Sequence, residues 1–306
     1  MKTASLTPHR EARRHGTDSF PCAYYDLNPQ QLAPGTSFQV KHHWHEEIEI
    51  IYLQKGSFHL EFNMEKYDTC EECFCFVNSG ELHSLSSDSE FIEKAFVFSP
   101  SMLAFLINDP AQQQFIQPLI ERTLILPRFI DHTFPCYEEL KQLFLRISEE
   151  FLTDTSLIQD GQLLTTAPAR QLYIKAGLLQ LLALLAQNNI LLPASPDSDR
   201  RVEMVKKVIT YMEQHFSEKI YIHDLAHQIN MNEQYFCRFF KKIIGRSPIS
   251  YLNDLRIRQA ARLLRETDHS VMNICLECGF NNLGNFMQIF KKNYNMTPLQ
   301  FRKQHN

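Results

Sequence analysis

At 306 residues the chain is long enough for two domains and a connector, and this length does not suit a single core. Its net charge of −4 is unevenly distributed: residues 1–198 carry 14 Lys and Arg against 25 Asp and Glu, whereas residues 199–306 carry 17 against 10. The eight cysteines have no regular spacing, which excludes a disulfide-stabilised secreted scaffold and favours the cytoplasm. Gln and Asn interrupt the most apolar stretch, residues 176–192, so we expect no membrane partner.

The N-terminal half has the pattern of short strands. Residues 1–18 contain basic side chains but no apolar run, which predicts a disordered arm and not a signal peptide. Phe58, Leu60 and Phe62 alternate with polar residues, as in a half-buried strand. A second apolar run ends at the turn residues 78–80 and a third ends before Pro100. These runs predict a β-barrel or sandwich over residues 19–110.

Ionisable side chains are concentrated in residues 42–49. If this segment is one strand, His43, His45 and Glu49 lie on the same face, and His83 could approach them from another strand. Such a row inside a barrel is costly unless it lines a polar cavity. Aromatic rings stack on sugars, so Trp44 and Tyr24 are candidate effector contacts, although core packing is their commoner role.

This segment, together with Gly56 and residues 78–83, resembles the cupin-type effector domain of AraC-like regulators. The resemblance implies a jelly-roll barrel that holds a small ligand. Three interpretations of the polar side chains stay open. They could hydrogen-bond a small polar effector such as a carbohydrate, or pair with one another and bind nothing. As in metal-dependent cupins, His43, His45, Glu49 and His83 could instead hold a divalent metal; otherwise no cofactor is expected.

Residues 111–190 are predicted to be helical. Leu140, Leu143, Phe144 and Ile147 form one apolar stripe, and residues 172–185 form a second. These helices are candidates for homodimerisation, with packing on the barrel as the alternative. Residues 191–200 contain two prolines among small polar residues and are predicted to be the linker to a basic domain over residues 201–306.

The basic domain contains two copies of one unit, at about 222–243 and 271–293. Phe236 and Phe240 recur 50 positions later as Phe286 and Phe290, each second phenylalanine being followed by two lysines. Within each copy, apolar residues at helical spacing stand before and after a turn, at Asn230 or at Gly279. This pattern predicts two helix-turn-helix units. A connecting helix over residues 251–264 is expected to expose Arg256, Arg258, Arg262 and Arg265.

Many positions in this repeat resemble the AraC/XylS DNA-binding domain over residues 202–303. The matching residues include Leu225, Ala226, Phe239, Phe240, Gly245, Tyr251, Arg256, Ala260, Ile274, Gly279, Phe280, Phe286, Phe290, Thr297 and Pro298. Cys275 and Asn295 depart from the family's usual Ala and Gly, and Gly284 is expected to weaken the second recognition helix from its interior.

The resemblance implies that each second helix enters a major groove of promoter DNA. The implied base-edge residues are Gln234, Cys237 and Arg238 in the first helix and Asn281, Asn282, Leu283, Asn285 and Gln288 in the second. Lys241, Lys242, Lys291 and Lys292 are expected to meet phosphates.

The sequence therefore predicts an α+β protein of two domains: a cupin-like jelly-roll β-barrel with a helical dimerisation segment, and an all-α double helix-turn-helix domain. We expect a cytoplasmic transcription regulator that binds double-stranded DNA and a small effector, with RNA polymerase as a further candidate partner. No nucleophile motif or Gly-rich phosphate loop is present, so an enzyme is not expected. The alternative is a metal-dependent cupin enzyme fused to a DNA-binding domain.

Overall fold

The computed structural model describes residues 9–10, 14–27, 38–63, 65–88, 90–152, 157–159, 161–194 and 196–305. The chain divides into two compact units, one comprising Arg10–Pro196 and the other containing Asp197–Asn306. Among the residues just given, no helix is both long and apolar enough to cross a membrane. The arm predicted over residues 1–18 lies for the most part outside the described residues.

The N-terminal unit is built mainly from antiparallel strands. The strands are β1 (His9–Arg10), β2 (Cys22–Leu27), β3 (Phe38–Trp44), β4 (Ile48–Lys55), β5 (Phe58–Phe62), β6 (Glu65–Thr69), β7 (Cys73–Val77), β8 (His83–Ser87), β9 (Ile92–Phe98), β10 (Leu124–Ile125), β11 (Phe129–Asp131), β12 (Leu157–Gln159), β13 (Gln162–Leu164) and β14 (Leu192–Pro193). One sheet has the order β1-β3-β8-β5-β6 and the other has the order β11-β7-β4-β9-β2-β13-β12, while β10 pairs with β14.

An apolar core lies between the two large sheets. Phe58, Leu60 and Phe62 of β5 are buried in it, as their alternation predicts, and they share a cluster with Ile51 and Leu53 of β4 in the other sheet. Strands β4 and β9 also bury the side chains on the outer face of the larger sheet, because helices cover that face. The predicted β-rich N-terminal domain is confirmed.

The interpretation of residues 42–49 as one strand is wrong. β3 ends at Trp44 and β4 begins at Ile48, so the chain turns through His45-Glu46-Glu47 and passes from one sheet to the other. His43 pairs with His83 of β8, whereas Glu49 pairs with Val77 and Val97. The four predicted side chains therefore reach the same region from two facing sheets.

Helices cover the outer face of the larger sheet. They are α1 (Gln117–Ile120), which extends a π-helical turn at Gln112–Ile116, α2 (Tyr137–Glu149) and α3 (Pro168–Gln187). α2 and α3 cross so closely that a Cβ on Gly177 would lie 2.5 Å from Ile147. The prediction of a purely helical segment over residues 111–190 was incomplete, because β11 and β13 from this segment join the larger sheet.

The second unit consists of helices. They are α4 (Pro196–His215), α5 (Ile222–His227), α6 (Glu233–Ile244), α7 (Pro248–Glu266), α8 (Val271–Glu277), α9 (Leu283–Tyr294) and α10 (Pro298–His305). The two copies also share individual backbone hydrogen bonds. The N–H of Met231 donates to the carbonyl of Ala226 at 3.0 Å, and the N–H of Phe280 donates to the carbonyl of Cys275 at 3.0 Å. The predicted pair of helix-turn-helix units is confirmed.

Two details of this unit differ from the sequence-based expectation. Arg256 does not face outward: its Nε and one terminal nitrogen donate to the carbonyls of Phe216 and Glu218, both at 2.7 Å. A guanidinium has enough donors to bind two carbonyls at once, so it ties α7 to the loop after α4. Gly284 is the second residue of α9 and not an interior one, so the expected weakening of the helix does not apply.

Candidate functional site

The second helix of the first helix-turn-helix unit, α6, begins and ends at capping residues. Asn232 accepts a hydrogen bond from the N–H of Tyr235 at 2.9 Å, and Gly245 ends the helix in the left-handed conformation. Phe236 and Phe240 are fully buried. On the opposite face, the candidates that are exposed are Gln234, Arg238, Lys241 and Lys242, while Cys237 is half-buried.

The corresponding helix of the second unit, α9, repeats this arrangement with other side chains. Asn282 Oδ1 accepts a hydrogen bond from the N–H of Asn285 at 2.9 Å, so Asn282 caps the helix. Its remaining exposed candidates are Asn281, Leu283, Asn285, Gln288, Lys291 and Lys292. Both helices therefore present a polar face that ends in two exposed lysines.

The second cluster of predicted side chains lies inside the N-terminal unit. His43, His45 and His83 each place a ring nitrogen so that the three atoms lie within 4.8 Å of one another. Glu49 Oε2 is 3.6 Å from His45 Nε2 and 3.3 Å from His83 Nε2. His45 and His83 expose only 4% and 3% of their surface. The structure thus brings together the three histidines and the glutamate of the predicted set.

The loops around the cluster fix its orientation. His45 Nδ1 is 3.1 Å from the carbonyl of Glu47, and His83 Nδ1 is 2.9 Å from that of Glu81. The N–H of Gly80 donates to the carbonyl of His45 at 2.7 Å, which joins the turn before β8 to the crossing between the sheets. Glu81 is itself held by the guanidinium of Arg128 at 2.6 Å.

Comparison with known proteins identifies both units. An AraC-like ligand-binding domain model matches residues 31–182, and a helix-turn-helix domain model matches residues 225–304. The chain belongs to the AraC family of transcriptional regulators. The relatives described next match it over nearly their whole length and are transcriptional regulators, which does not support the alternative of a cupin enzyme.

This AraC-family chain is 24% identical over 295 residues to the uncharacterized HTH-type transcriptional regulator YdeC of Bacillus subtilis, covering 96% of each chain. It is 26% identical over 290 residues to the HTH-type transcriptional activator RhaS of Salmonella arizonae, covering 94% of this chain and 96% of RhaS. Among solved structures, ToxT from Vibrio cholerae aligns over 94% of this chain and 99% of its own, with 12% identity and a TM-score of 0.40.

Burial gives the effector-domain cluster of this AraC-family regulator unusual electrostatics. Burial opposes ionisation of Glu49, but hydrogen bonds to His45 and His83 hold the pKa of its carboxyl well below the usual range. Burial and the neighbouring His43 lower the pKa of His83 to about 4. Elsewhere in the barrel, burial and the charge of Glu49 raise the pKa of Glu93 to about 8. A buried Glu93 oxygen has no hydrogen-bond partner among the described groups.

Sequence reasoning assigned two aromatic residues to this cluster, and the structure corrects one of them. Tyr24 packs on the outer face of the sheet, with its ring 5.7 Å from that of Phe151. Because neighbouring strand residues point to opposite faces, Tyr25 points inward, and its hydroxyl is 2.8 Å from His15 Nδ1. Trp44 is the last residue of β3. It is buried, and it precedes His45 in the sequence.

Two further residues of interest were missed. His15 was assigned to a disordered arm, yet it is buried, with its ring 5.0 Å from that of His45. No local pattern marks it, since the contact joins distant parts of the chain. Tyr235 of α6 is 51% exposed and stands in register with Asn285 of α9. The 50-residue repeat offset could have identified it as a base-edge candidate.

Proposed function

We propose that this regulator reads a specific promoter sequence with α6 and α9, and that a small polar effector bound at the histidine cluster controls it. The observation that carries the proposal is the repeated exposed polar face on two capped helices, each ending in two lysines. Those lysines are placed in the basic half of the chain, where phosphate contacts are favourable.

The two faces differ in their chemistry, and this difference would give the DNA site two unlike halves. Arg238 of α6 suits a bidentate contact with guanine and Gln234 one with adenine, whereas Asn285 and Gln288 of α9 both suit adenine. Lys241 and Lys291 occupy equivalent positions near the helix ends, where side chains meet phosphates. The proposed DNA site therefore has two elements, in either order. One contains a guanine for α6, and the other contains adenine for α9.

Selection of binding sites from random-sequence DNA with the full chain tests this proposal. We expect enrichment of a site with two elements about one helical turn apart. A selected pool without any shared sequence, bound equally well by unrelated DNA, would contradict sequence-specific recognition.

Effector control rests on the buried polar groups inside the barrel. His45 and His83, which are buried, converge with the half-buried His43 and Glu49 beside the apolar core, and burying such groups is unfavourable unless they bind or pair with something. A carbohydrate is the effector predicted from the sequence, and it stays a prediction. Contact with RNA polymerase is likewise a prediction.

We also propose that a second copy of the chain covers the exposed apolar face of α3. Leu172 and Tyr173 there are 69% and 68% exposed. Farther along α3, Ala183 and Ala186 line a groove of about 460 Å³ with Phe115. Apolar surface of this kind is typical of protein interfaces.

Sedimentation of the full chain distinguishes a dimer from a monomer. We expect Leu172→Asp to shift the chain from dimer to monomer, because it places a charge in the interface. Ile158→Asp, at an exposed apolar residue of β12, is the matched control and should leave the dimer intact. A monomer in the unmodified chain would exclude this interface.

A further inference from the structure

One short segment of the N-terminal unit contacts both the loops around the histidine cluster and the last strand before the DNA-binding unit. It comprises residues 122–128, follows α1 and contains β10. Starting from the effector site proposed above, on which this step rests, we propose that this coupling segment transmits the state of the histidine cluster to the linker that enters α4. Occupancy of the cluster then changes DNA affinity through a defined path along the chain.

The first contact joins the start of the coupling segment to the crossing between the two sheets. Arg122 forms an ion pair with Glu46, which directly follows His45. Both side chains reach solvent, so this ion pair is weak by itself. The backbone supports it, because Arg122 lies just after α1 in the left-handed conformation, with φ 60°, and the N–H of Thr123 donates to the carbonyl of Pro118 at 2.9 Å.

Two stronger contacts hold the other end of the coupling segment against the turn before β8. Asn78 is buried, and its side chain donates to the carbonyl of Leu126 at 3.2 Å and accepts from the N–H of the same residue at 2.8 Å. The guanidinium of Arg128 donates to the two carboxylate oxygens of Glu81 at 2.6 and 2.7 Å. The carbonyl of Glu81 is also 2.9 Å from His83 Nδ1. The turn therefore contacts the cluster and the coupling segment at once.

Between these contacts, the coupling segment pairs with the part of the chain that leaves the unit. β10 is antiparallel to β14, with Leu124 opposite Pro193. Next to this pair, the N–H of Ala194 donates to the carbonyl of Thr123 at 3.0 Å. Residues 194 and 195 separate β14 from the start of α4. A shift of the coupling segment therefore reaches the linker without an intervening long loop.

The two ends of this path differ in how firmly they are held. Pro127 fixes one φ angle of the coupling segment, and Leu126 is buried in the core. The N–H of Phe76 donates to the carbonyl of Arg128 at 3.0 Å, and Arg128 donates to the carbonyl of Phe76 at 2.7 Å, which anchors this end in the larger sheet. β10 and β14, in contrast, have two residues each, and so short a pair is marginally stable. The pairing of β10 with β14 is therefore the element that a small change in free energy can shift.

Hydrogen exchange of the full chain, followed by mass spectrometry, tests the coupling without an identified effector. Couplings between binding sites are reciprocal, so a cluster that controls DNA binding must itself respond when DNA binds. The probe is therefore the DNA duplex selected from random sequence. We expect its binding to change the exchange rates of residues 78–83 and 188–194 at least about threefold.

A double variant of the coupling segment, Arg122→Asn with Arg128→Lys, should reduce the response of residues 78–83 to less than half. Asn tolerates the left-handed backbone at position 122 but lacks the charge that pairs with Glu46. Lys keeps the charge at position 128 but lacks the planar fork that binds both oxygens of Glu81. The matched control is Arg170→Asn, which removes the 3.4 Å ion pair with Glu150 elsewhere in the N-terminal unit and should keep the full response.

The free proteins supply a second comparison. Residues 188–194 should exchange at least about threefold faster in the double variant than in Arg170→Asn, whereas residues 50–53 of β4 should exchange equally in both and so exclude general destabilisation. If the double variant does not fold, as judged by circular dichroism, Arg122→Asn alone decides. Exchange at residues 78–83 that ignores DNA binding, or a response that survives the double substitution, would overturn the coupling. Absence of any selected DNA site would instead refute the proposed function, whatever the exchange rates of the free proteins.

Discussion

At the residue scale, left-handed backbone positions end the helices of the DNA-binding unit. Gly245 and Gly279 have φ angles of 77° and 78°, and Asn230 and Asn295 have φ angles of 52° and 57°. Asn tolerates this conformation better than most residues, which explains why it can replace glycine there. Gly279 differs from the others because the carbonyl oxygens of Phe216 and Ser217 leave no room for a side chain.

Gly279→Ala should therefore destabilise the DNA-binding unit more than Gly245→Ala does. Left-handed backbone costs alanine about 1–2 kcal/mol at either position. At Gly279 the new Cβ would also lie 2.5 Å from the Phe216 oxygen, whereas nothing lies within 4 Å at Gly245. We expect a further loss of about 1–3 kcal/mol at Gly279, measured by urea unfolding followed by circular dichroism. Equal losses in the two variants would argue against the close contact.

Glu93 is expected to make a pH-dependent contribution to the stability of the N-terminal unit. Burial raises the pKa of its carboxyl from 4.5 to about 8, so between these values the folded chain keeps a proton that the unfolded chain releases. The free energy of unfolding should then fall by up to about 1.4 kcal/mol per unit as pH rises from roughly 5 to 8.

Glu93→Gln removes this titration and should flatten the dependence while stabilising the protein most at pH 8. Calorimetry at several pH values measures the effect. Glu90→Gln, three residues earlier and exposed to solvent, is the control and should retain the slope of the unmodified protein. A slope that survives Glu93→Gln would assign the titration to another group.

At the scale of elements, the DNA contacts proposed for α6 are of two kinds and lie on one exposed face. Arg238→Ala should cost about 1–3 kcal/mol at one base position and relax the preference there, because a base-edge contact is lost. Lys241→Ala should weaken binding to all sequences about equally and lower the slope of log affinity against log salt by about one. Filter binding at several salt concentrations measures both. The two roles would be wrongly assigned if Arg238→Ala weakened all DNA equally or Lys241→Ala left the slope unchanged.

The elements also differ in how much of them the sequence could predict. Local patterns predict the helices, the cap at Asn232 and the left-handed turns of the helix-turn-helix units. Because the unit occurs twice, each pattern could be checked against the second copy. The crossing at residues 45–47 could not be predicted, because no Gly, Pro, Asn or Asp marks a turn there and only pairing with distant strands decides where β3 ends. The contact of His15 with His45 is non-local for the same reason.

At the scale of the whole molecule, we expect α7 to limit the DNA sites that the chain can read. Its 19 residues span about 28 Å at ~1.5 Å per residue, a rigid connection comparable to the roughly 34 Å turn of DNA. Inserting five base pairs between the two elements of a selected site should weaken binding at least about tenfold, because it rotates one element to the far side of the duplex. Gel-shift titration measures this, and unchanged affinity would mean that only one helix reads bases.

The position of the single tryptophan has a practical consequence. Trp44 closes β3, is buried, and is followed directly by His45. The indole lies in the N-terminal unit, next to His45 in the chain, whereas α6 and α9 contain no tryptophan. The intrinsic emission of the unlabelled protein is therefore a reporter confined to the effector domain, and its changes can be followed in stopped-flow mixing while DNA is present.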